Sequence, residues 1–475
     1  MKTRFPWRAL CPAAVLAAAF AGAAGCAQLG PATPSHAAVV VTEGRKPQSE
    51  IAPDFTGLSY EKSALSSPLF DAADAGMIAL FRRLGPGVLR VGGNSVDRTR
   101  WDPTGPGLQK GVVAPADISR LAQFLRAAGW RIIYGLNLGT AAPAAAAEEA
   151  AAARAAFGGL LVALEIGNEP DLYHSNGLRP PDYAYKNFRG EWQADARAIA
   201  QRVPDAAFAG PAAASDLKRY TIPFSRDTQG LLSLLTQHYY RSNGKLPAST
   251  IQLMLSPDPR LAELLRQLSV AAGSGDVLLG FRLGEANSFF NGGAPGVSDS
   301  FASALWGIDF LFQCAFAGAS GVNIHGGGES PGYTPIADNG TGVTGVRPLY
   351  YGMLLFSLAA RGSLAGAEVK GGADTRITAW AVSGRDHSLR LVVVDPADGE
   401  ITPVDVRVPS SYRSASLLRL TSTSLASEHG TLLGGAPIRP DGSWEGTGEE
   451  PAAVQDGRLT VTLRGPEAVL LVFHP

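Results

Sequence analysis

The sequence predicts an α/β fold in which a (β/α)8 barrel is followed by a C-terminal β-sandwich domain. Eight short apolar stretches alternate with amphipathic helical stretches between about residues 54 and 361, a pattern typical of parallel strands joined by crossover helices. After about residue 362 the pattern changes to short segments with period-two alternation, which indicates an all-β domain. The chain of 475 residues is long enough for one large barrel and such an appendage.

The composition excludes several classes of protein. Hydrophobic residues make up 45% and charged residues 17% of the chain, whereas a disordered protein would be rich in charge and poor in large apolar residues. The formal net charge of -1 argues against nucleic-acid binding by bulk electrostatics, because neutralising phosphates requires an excess of Lys and Arg. We therefore expect no nucleic-acid partner.

Residues 1–26 have the pattern of an export signal. Three basic residues lie in the first eight positions and the apolar run Ala9–Gly22 follows, as is typical of a secretory signal peptide. The residues that end at Cys26 resemble a lipobox, in which this cysteine is lipidated and attaches the protein to a membrane. The alternative is ordinary signal-peptidase cleavage near Ser35–Ala37. In either case we expect an exported protein that is periplasmic, an outer-membrane lipoprotein or extracellular.

The predicted barrel spans residues 51–362. A linker over residues 27–37 precedes it, as does a strand within residues 38–50 that is expected to join the β-sandwich. The predicted barrel strands are Thr56–Tyr60, Val88–Val91, Arg131–Leu138, Leu161–Ile166, Ala206–Ala212, Leu235–Tyr240, Val277–Leu283 and Gly321–His325. The predicted helices are Pro68–Arg83, Ala116–Trp130, Ala145–Phe157, Tyr183–Arg202, Pro259–Ala272, Ser300–Ala317 and Leu349–Arg361. A doubly wound sheet is the structural alternative, but no GxGxxG motif follows the first strand.

The predicted β-sandwich spans residues 363–475. Turn residues separate its apolar segments and no long helical pattern interrupts them. The predicted strands are Thr375–Val382, Ser388–Val394, Val404–Val408, Ser414–Thr421, Arg458–Leu463 and Ala468–Phe473.

Two glutamates stand at the ends of predicted barrel strands. Glu169 follows the fourth strand in the run Glu-Ile-Gly-Asn-Glu-Pro, and Glu285 follows the seventh strand. The carboxyl ends of barrel strands point to the active-site face, and strands four and seven oppose each other there. Two carboxylates across one cleft are the requirement of glycoside hydrolysis. Burial and mutual repulsion separate their pKa values, so that one carboxyl donates a proton while the other is ionised.

Two structural alternatives apply to these glutamates. Glu285 could be the buried partner of Arg282 or of another barrel arginine. Glu165, two residues before Gly167, could be the important carboxylate in place of Glu169. Burying a charge at a strand end nevertheless costs free energy, and a functional role would account for it.

Several motifs resemble one family of glycosidases. The Asn168-Glu169-Pro170 motif is shared by a large clan of retaining (β/α)8 enzymes, and the run from Gly284 to Asp299 is far more discriminating. That run is similar to glycoside hydrolase family 79, which includes heparanases and bacterial β-glucuronidases. The resemblance covers about residues 38–475 and includes Gly57–Glu61, Leu89–Asn94, Gly135–Asn137 and Gln237–Tyr240.

The resemblance implies roles for individual residues. Glu169 would be the acid/base and Glu285 the nucleophile, and Asn168 would hydrogen-bond the sugar 2-hydroxyl. Either His238 or Tyr240, at the end of the sixth strand, would orient Glu285. The residues expected to line the sugar pocket at other strand ends are Glu61, Asn94 and Asn137.

The sequence departs from the family at one position of the sugar site. Members that bind a uronic acid usually have Tyr five residues after the nucleophile, and this chain has Phe290. A backbone nest at Gly292 and Gly293 could still bind a carboxylate, and Tyr333 could also contact it. Losing one charge-assisted hydrogen bond costs about 1.5–3 kcal/mol, so a neutral or O-methylated sugar stays an alternative.

The sequence thus predicts an exported, retaining exo-β-glycosidase, a β-glucuronidase above all, whose partner is a carbohydrate. No Cys/His cluster has zinc spacing, so we expect no metal, and the reaction requires no cofactor. Cys314, in an apolar segment, is expected to be a small core residue. The alternative from another class is a glycan-binding surface lipoprotein without activity, which would have no need of a facing carboxylate pair.

Overall fold

The computed structural model describes residues 37–42, 50–330, 332–371, 376–446 and 448–475. The predicted signal peptide, Cys26 and the linker up to residue 36 lie outside the described residues. Within the described part, no helix is both long and apolar enough to cross a membrane.

Eight parallel strands among the described residues close into a barrel, which confirms the predicted fold class. Each is named below by its order in the chain. The barrel strands are Thr56–Glu61, Gly87–Gly92, Trp130–Leu136, Leu161–Ile166, Phe208–Ala213, Leu232–Asn243, Phe281–Phe290 and Gly321–Gly326.

The seventh strand begins later than its apolar sequence suggests. The prediction started it at Val277, but the strand runs from Phe281 to Phe290. Gly280 has a φ of 68°, a left-handed conformation that interrupts an extended chain. Leu278 is 85% exposed in the turn before it. The apolar residues 277–279 therefore belong to a turn.

The sixth and seventh strands are the longest in the barrel, with 12 and 10 residues. They pair in parallel, with Glu285 opposite His238 and Asn287 opposite Tyr240. This register brings the predicted nucleophile and the two predicted orienting residues to the same end of the barrel.

Helices follow the strands around the barrel. Pro115–Ala128 is typical: proline occupies its first turn, and Gly129 ends it with a φ of 72°. The predicted helix over residues 68–83 begins only at Ala75, because the Asp74 side chain caps it by accepting from Met77 N. The α-helices are Ala75–Arg83, Pro115–Ala128, Pro143–Phe157, Tyr185–Arg202, Ile222–Asp227, Ile251–Leu255, Pro259–Ser274, Phe301–Phe316 and Pro348–Ala359. Cys314 is buried in the eighth of these.

The C-terminal domain is a single curled sheet of ten strands among the described residues, where the prediction had two separate sheets. Ala37–Thr42 lies inside it, antiparallel to Gly362–Lys370 and parallel to Ile401–Arg407. The prediction missed Gly362–Lys370, whose small residues lack a strand signal. The other strands are Thr378–Gly384, Leu389–Asp395, Ser414–Thr421, Leu432–Leu433, Glu450–Ala453, Arg458–Arg464 and Glu467–His474.

The two faces of this sheet pack into different cores. Leu391 and Val393 join an apolar cluster enclosed by the sheet itself, whereas Val392 and Val394 join the cluster that contains the barrel helices. Since successive side chains of a strand point to opposite faces, one strand serves both cores. The sheet is thereby fixed to the barrel through apolar packing.

Candidate active site

Glu169 and Glu285 meet at the carboxyl end of the barrel. Three atoms lie within 4.8 Å of one another: one carboxylate oxygen of each glutamate and a ring nitrogen of His238. Glu169 has the left-handed backbone angles φ 51° and ψ 54°, which are uncommon for a residue other than glycine. Its N–H donates to Ala212 O at 2.9 Å. The left-handed turn redirects the chain directly after the fourth strand.

Glu285 lies among hydrogen-bond donors and positive groups. Arg90 Nη1 is 2.9 Å from its Oε2, and Tyr240 donates its hydroxyl to Oε1 at 2.8 Å. Burial by itself raises the pKa of Glu285, but the charges of His325, His238 and Arg90 and the bond from Tyr240 outweigh it and hold the pKa well below its usual range. Glu285 is therefore ionised at neutral pH.

Glu169 experiences the opposite balance. Among the described residues, its carboxyl is within hydrogen-bond distance of one group, His238 Nδ1 at 3.0 Å. Burial raises the pKa of Glu169, while the bond and the charge of His238 only partly oppose it and the charge of Glu285 adds to it. The two carboxyl groups thus differ in proton affinity, as an acid and an adjacent ionised carboxylate require.

Arg90 is the centre of the polar network, and its contacts are not evident from the sequence. It is fully buried in the second strand. Its guanidinium also donates to Glu165 Oε2 at 2.6 Å and to Asn168 Oδ1 at 2.8 Å. Glu165 in turn accepts from Thr236 Oγ1 at 2.7 Å. Glu165 therefore balances the Arg90 charge inside the barrel, while Glu169 extends into the cleft beyond it.

Arg282 lies at the start of the seventh strand, far from its end. It donates to Asn323 Oδ1 at 2.6 Å and to Phe55 O at 3.0 Å. The arginine that pairs with Glu285 is therefore Arg90, and Arg282 closes the floor of the barrel.

Asn168 is 2% exposed and held from two sides. Its Oδ1 accepts from Arg90, and its backbone N–H donates to Asp97 Oδ2 at 3.1 Å. Its Nδ2 is buried and has no hydrogen-bond partner among the described residues. A buried amide donor without a partner is costly, and a hydroxyl bound beside Glu169 would satisfy it.

A cavity of about 560 Å³ lies at the carboxyl ends of the first and eighth strands. We call it the Glu61 cavity. Its wall includes three of the predicted site residues, Glu61, Gly292 and Tyr333, and also His325. His325 links it to the nucleophile, with Nε2 3.9 Å from Glu61 Oε1 and Nδ1 3.8 Å from Glu285 Oε2. His325 is not among the predicted site residues, although it ends the predicted eighth strand.

Glu61 also organises the loop after the second strand. It accepts from Asn94 N at 3.1 Å and from Ser95 N at 2.7 Å. The Asn94 side chain is exposed at this rim. A Cβ at Gly93 would lie 2.5 Å from the Glu61 carboxyl carbon, so only glycine permits this approach.

Asn137 occupies a structural position. It is 3% exposed, and its Nδ2 donates to Thr99 O and Thr140 Oγ1, both at 2.9 Å. Its Oδ1 accepts from Thr140 N at 2.9 Å. These bonds join the loops after the second and third strands to each other. They engage both the Nδ2 and the Oδ1 of Asn137.

Phe290 lies at the end of the seventh strand and is 42% exposed. Its ring makes an edge contact with Tyr240, with centroids 6.3 Å apart. Tyr333 packs against the same Tyr240 ring at 6.2 Å and is 6% exposed. The structure therefore gathers Phe290, Tyr333 and Tyr240 into one aromatic group beside Glu285.

The cluster of Glu169, His238 and Glu285 has a spacing that could hold a metal ion. The same atoms are already engaged, because His238 Nδ1 contacts Glu169 and both oxygens of Glu285 accept from Arg90 and Tyr240. A hydrogen-bonded network with a charge-compensating arginine accounts for the cluster, and carboxylate chemistry is the use that its geometry favours.

Comparisons with known proteins point to the same chemistry. Over 404 residues the chain is 26% identical to a protein named beta-glucuronidase from Aspergillus niger, covering 74% of this chain and 71% of that protein. Over 345 residues it is 26% identical to a beta-glucuronidase from Neurospora crassa, covering 63% and 60%. The chain is a glycoside hydrolase.

The fold has a solved relative of the same architecture. The crystal structure of a 4-O-α-L-rhamnosyl-β-D-glucuronidase from Fusarium oxysporum, a Rha-GlcA complex, matches with a TM-score of 0.76 at 17% identity. The match covers 92% of this hydrolase and 99% of that chain. No family model matches the sequence, so membership of glycoside hydrolase family 79 stays a prediction.

Proposed function

We propose that this glycoside hydrolase is a retaining exo-β-glucuronidase of the family 79 type. The observation that carries the proposal is the close approach of Glu169 and Glu285, since one carboxylate oxygen of each lies within 4.8 Å of the other. Retaining enzymes place their two carboxyl groups about 5–5.5 Å apart, whereas inverting enzymes separate them by about 6.5–9.5 Å to admit a water. The similarity to two fungal proteins named beta-glucuronidase supports the choice of sugar.

In the first step the ionised Glu285 attacks the anomeric carbon. The bond from that carbon to the leaving oxygen breaks, and protonated Glu169 gives its proton to this oxygen. The products are the free aglycone alcohol and a glycosyl ester of Glu285, with Glu169 now ionised. Arg90 and Tyr240 hold the nucleophile in place through both of its oxygens.

In the second step Glu169 takes a proton from water, and the resulting hydroxide attacks the anomeric carbon. The ester bond breaks, Glu285 leaves as a carboxylate and Glu169 is protonated again. The unpartnered Nδ2 of Asn168 is suited to donate to the sugar 2-hydroxyl, a contact that strengthens in the transition state.

The uronate carboxylate would bind in the Glu61 cavity. Backbone N–H groups near Gly292 and Gly293, both with positive φ of 87° and 85°, are suited to form an anion nest, and the Tyr333 hydroxyl adds a donor. A second candidate is a neutral or O-methylated sugar. This candidate is favoured because the described residues that line the cavity include the acidic Glu61 and Asp338 but no Lys or Arg to pair with a sugar carboxylate. In addition, Phe290 supplies no hydroxyl.

The activity is tested with nitrophenyl β-glucuronide, β-glucoside and β-xyloside. We expect the glucuronide to be cleaved fastest and the Glu285→Gln variant to be inactive on all three. Cleavage of a neutral glycoside alone would retain the mechanism and replace the sugar. Sugar binding without turnover by wild type and variant alike would instead identify a glycan-binding protein.

The stereochemistry needs a separate measurement. Proton NMR during the first minutes of cleavage should show the β-anomer of the released sugar before it equilibrates. A 2-deoxy-2-fluoro glucuronide with an activated leaving group should add one glycosyl mass to the peptide that contains Glu285. An initial α-anomer would overturn retention.

We also propose that the protein is exported, and that Cys26 carries a lipid. The sequence of the first 26 residues supports this proposal. Mass spectrometry of the protein from the native host, or from a host with the lipoprotein pathway, should find an N-terminal lipidated cysteine. Cleavage near residue 37 without lipid would replace the anchor by a soluble exported form, and an intact N-terminus would overturn export.

A further inference from the structure

Asp97 receives hydrogen bonds from two loops at once. It lies in the turn after the second barrel strand and is 1% exposed. Its Oδ1 accepts from Leu138 N at 3.0 Å and from Gly139 N at 2.9 Å. Its Oδ2 accepts from Asn168 N at 3.1 Å and from the Tyr173 hydroxyl at 2.8 Å. The carboxylate therefore joins the loops that follow the third and fourth strands.

Two glycines make this approach possible. A Cβ at Gly139 would lie 2.5 Å from the Asp97 Cβ, and a Cβ at Gly167 would lie 2.5 Å from the Tyr173 hydroxyl. Gly167 also has a φ of 81°, which favours glycine. The chain around Asp97 is thus closely fitted on both sides.

The hydrogen bond from Asn168 N to Asp97 affects the position of Glu169, the proposed acid/base. Asn168 precedes Glu169, whose backbone adopts the strained left-handed angles given above, and such a conformation persists only where the surroundings determine it. Arg90 holds the Asn168 side chain, Asp97 holds its backbone N–H, and Ala212 O accepts the next N–H. Of these three, Asp97 is the side chain that fixes the backbone.

We propose that Asp97 is a positioning residue that holds the Asn168–Glu169 backbone so that the Glu169 carboxyl reaches the leaving-group oxygen. The proposal rests on the acid/base role of Glu169 stated under the proposed function. It assigns Asp97 no contact with substrate. Its effect is on proton delivery, because Arg90 and Tyr240 hold both oxygens of the nucleophile by direct hydrogen bonds.

The Asp97→Asn variant releases one loop in particular. An amide has one acceptor oxygen and one NH2 donor, and Leu138 N and Gly139 N can only donate. The amide oxygen therefore stays with these two groups. The NH2 then faces Asn168 N, which cannot accept, and the Tyr173 hydroxyl, which can. The variant loses the bond to Asn168 while it keeps the fold of the other loop.

The test is the dependence of kcat/KM on the leaving group. A dinitrophenolate leaves with little protonation, whereas an alkoxide needs the acid, and a misplaced acid costs on the order of 10²-fold. We expect Asp97→Asn to lose about that factor on methyl β-glucuronide and less than about 10-fold on the dinitrophenyl glycoside. Equal losses on both substrates would overturn the positioning role.

Two further variants separate positioning from general destabilisation. Asp117 is equally buried at 1% exposure and accepts from Leu108 N and Ala114 N away from the site. Asp117→Asn should lower the melting temperature without changing the leaving-group ratio. Tyr173→Phe removes one bond to Asp97 Oδ2 but no backbone contact, and should shift the ratio in the same direction by a smaller factor.

A crystal structure of Asp97→Asn distinguishes failure of this inference from failure of the proposed function. We expect the Asn168–Glu169 segment to move and the distance from Glu169 to His238 Nδ1 to increase from 3.0 Å. An unmoved segment overturns the inference whatever the enzyme cleaves. A moved segment in a protein that cleaves no glycoside overturns the proposed function and leaves the positional claim supported.

Discussion

Tyr240 donates its hydroxyl to Glu285 Oε1 at 2.8 Å, across the paired ends of the sixth and seventh strands. This bond is one of the contacts that hold the pKa of Glu285 down against the effect of burial. The next residue back, Tyr239, points away from the site and donates to Asp258 Oδ2 at 2.7 Å. Adjacent tyrosines on one strand thus provide a test residue and its control.

Tyr240→Phe should slow catalysis and move the acidic limb of the pH profile of kcat/KM to higher pH. A hydrogen bond to a charged group contributes about 1.5–3 kcal/mol, which corresponds to roughly 10-fold to 150-fold in rate. Without the donor the pKa of Glu285 rises, so a larger fraction is protonated and inactive at low pH. Tyr239→Phe should leave both limbs in place, and an unchanged acidic limb in Tyr240→Phe would contradict the orienting role.

His238→Gln should move both limbs of the profile to higher pH. Burial raises the pKa of Glu169, and the bond and charge of His238 lower it, so loss of the imidazole raises it further. The active acid then persists to higher pH. The same charge lowers the pKa of Glu285, so the acidic limb also rises. The profile of kcat/KM reports the free enzyme.

His325→Gln is the matched control for this variant. His325 lies 3.8 Å from Glu285 Oε2, and its charge lowers the pKa of that carboxyl. Among the described residues, the polar groups near its ring nitrogens are Glu285, Glu61 and Ser59. We expect His325→Gln to move the acidic limb alone. If His238→Gln also moved the acidic limb alone, Glu169 would not be the acid that sets the basic limb.

The sequence allowed the carboxylate pair to be predicted because each glutamate has small or polar neighbours and follows an apolar run that predicts a strand. In the structure Glu285 lies within the seventh strand and not after it. The sequence did not allow the partners to be predicted. Arg90 lies between Leu89 and Val91 in an apolar strand, and the residues that neutralise it are 75 and 195 positions away. Those contacts form only when the barrel closes. An arginine within such a strand was the one available signal.

The assignment of Asn137 illustrates the reverse difficulty. A polar residue at a strand end has the same local pattern whether it faces a ligand or fastens a loop. Asn137 bonds to Thr99 O and Thr140, groups whose proximity depends on loop paths that composition does not encode. His238 and Tyr240 show the same limit, since the register places His238 opposite Glu285, yet the tyrosine hydroxyl reaches Glu285 and the histidine ring reaches Glu169.

Asp309→Asn should stabilise the protein at neutral pH. Asp309 lies between a barrel helix and the curled sheet, where its Oδ1 accepts from Thr378 Oγ1 at 2.6 Å and from Trp380 Nε1 at 2.7 Å. Burial raises the pKa of Asp309 from 3.8 to about 6, against these two bonds. Asparagine keeps an oxygen for both donors and carries no charge.

The sign follows from proton linkage. The folded state holds its proton on Asp309 more tightly than the unfolded state does, so this group's contribution is full below about pH 3.8 and is lost as pH rises through about 6. The free energy of unfolding that is lost in this way is roughly 3 kcal/mol at most. The melting temperature of Asp309→Asn minus that of wild type should grow between pH 4 and pH 7. A constant difference would contradict the buried-charge account, and Asp205→Asn on the surface should show no such gain.

Phe290→Tyr should increase the preference for a glucuronide over a glucoside. Phe290 stands beside Tyr240 and Tyr333 at the end of the seventh strand, and its exposed ring leaves room for a hydroxyl. If the sugar carboxylate binds near Gly292, the new hydroxyl donates to it, and a charge-assisted bond contributes about 1.5–3 kcal/mol. The ratio of kcat/KM for the two nitrophenyl glycosides should then rise by about 10-fold or more. A lower ratio, with the glucoside cleaved faster than before, would contradict this prediction. It would mean that the new hydroxyl bonds to the 6-hydroxyl of a neutral sugar and not to a sugar carboxylate.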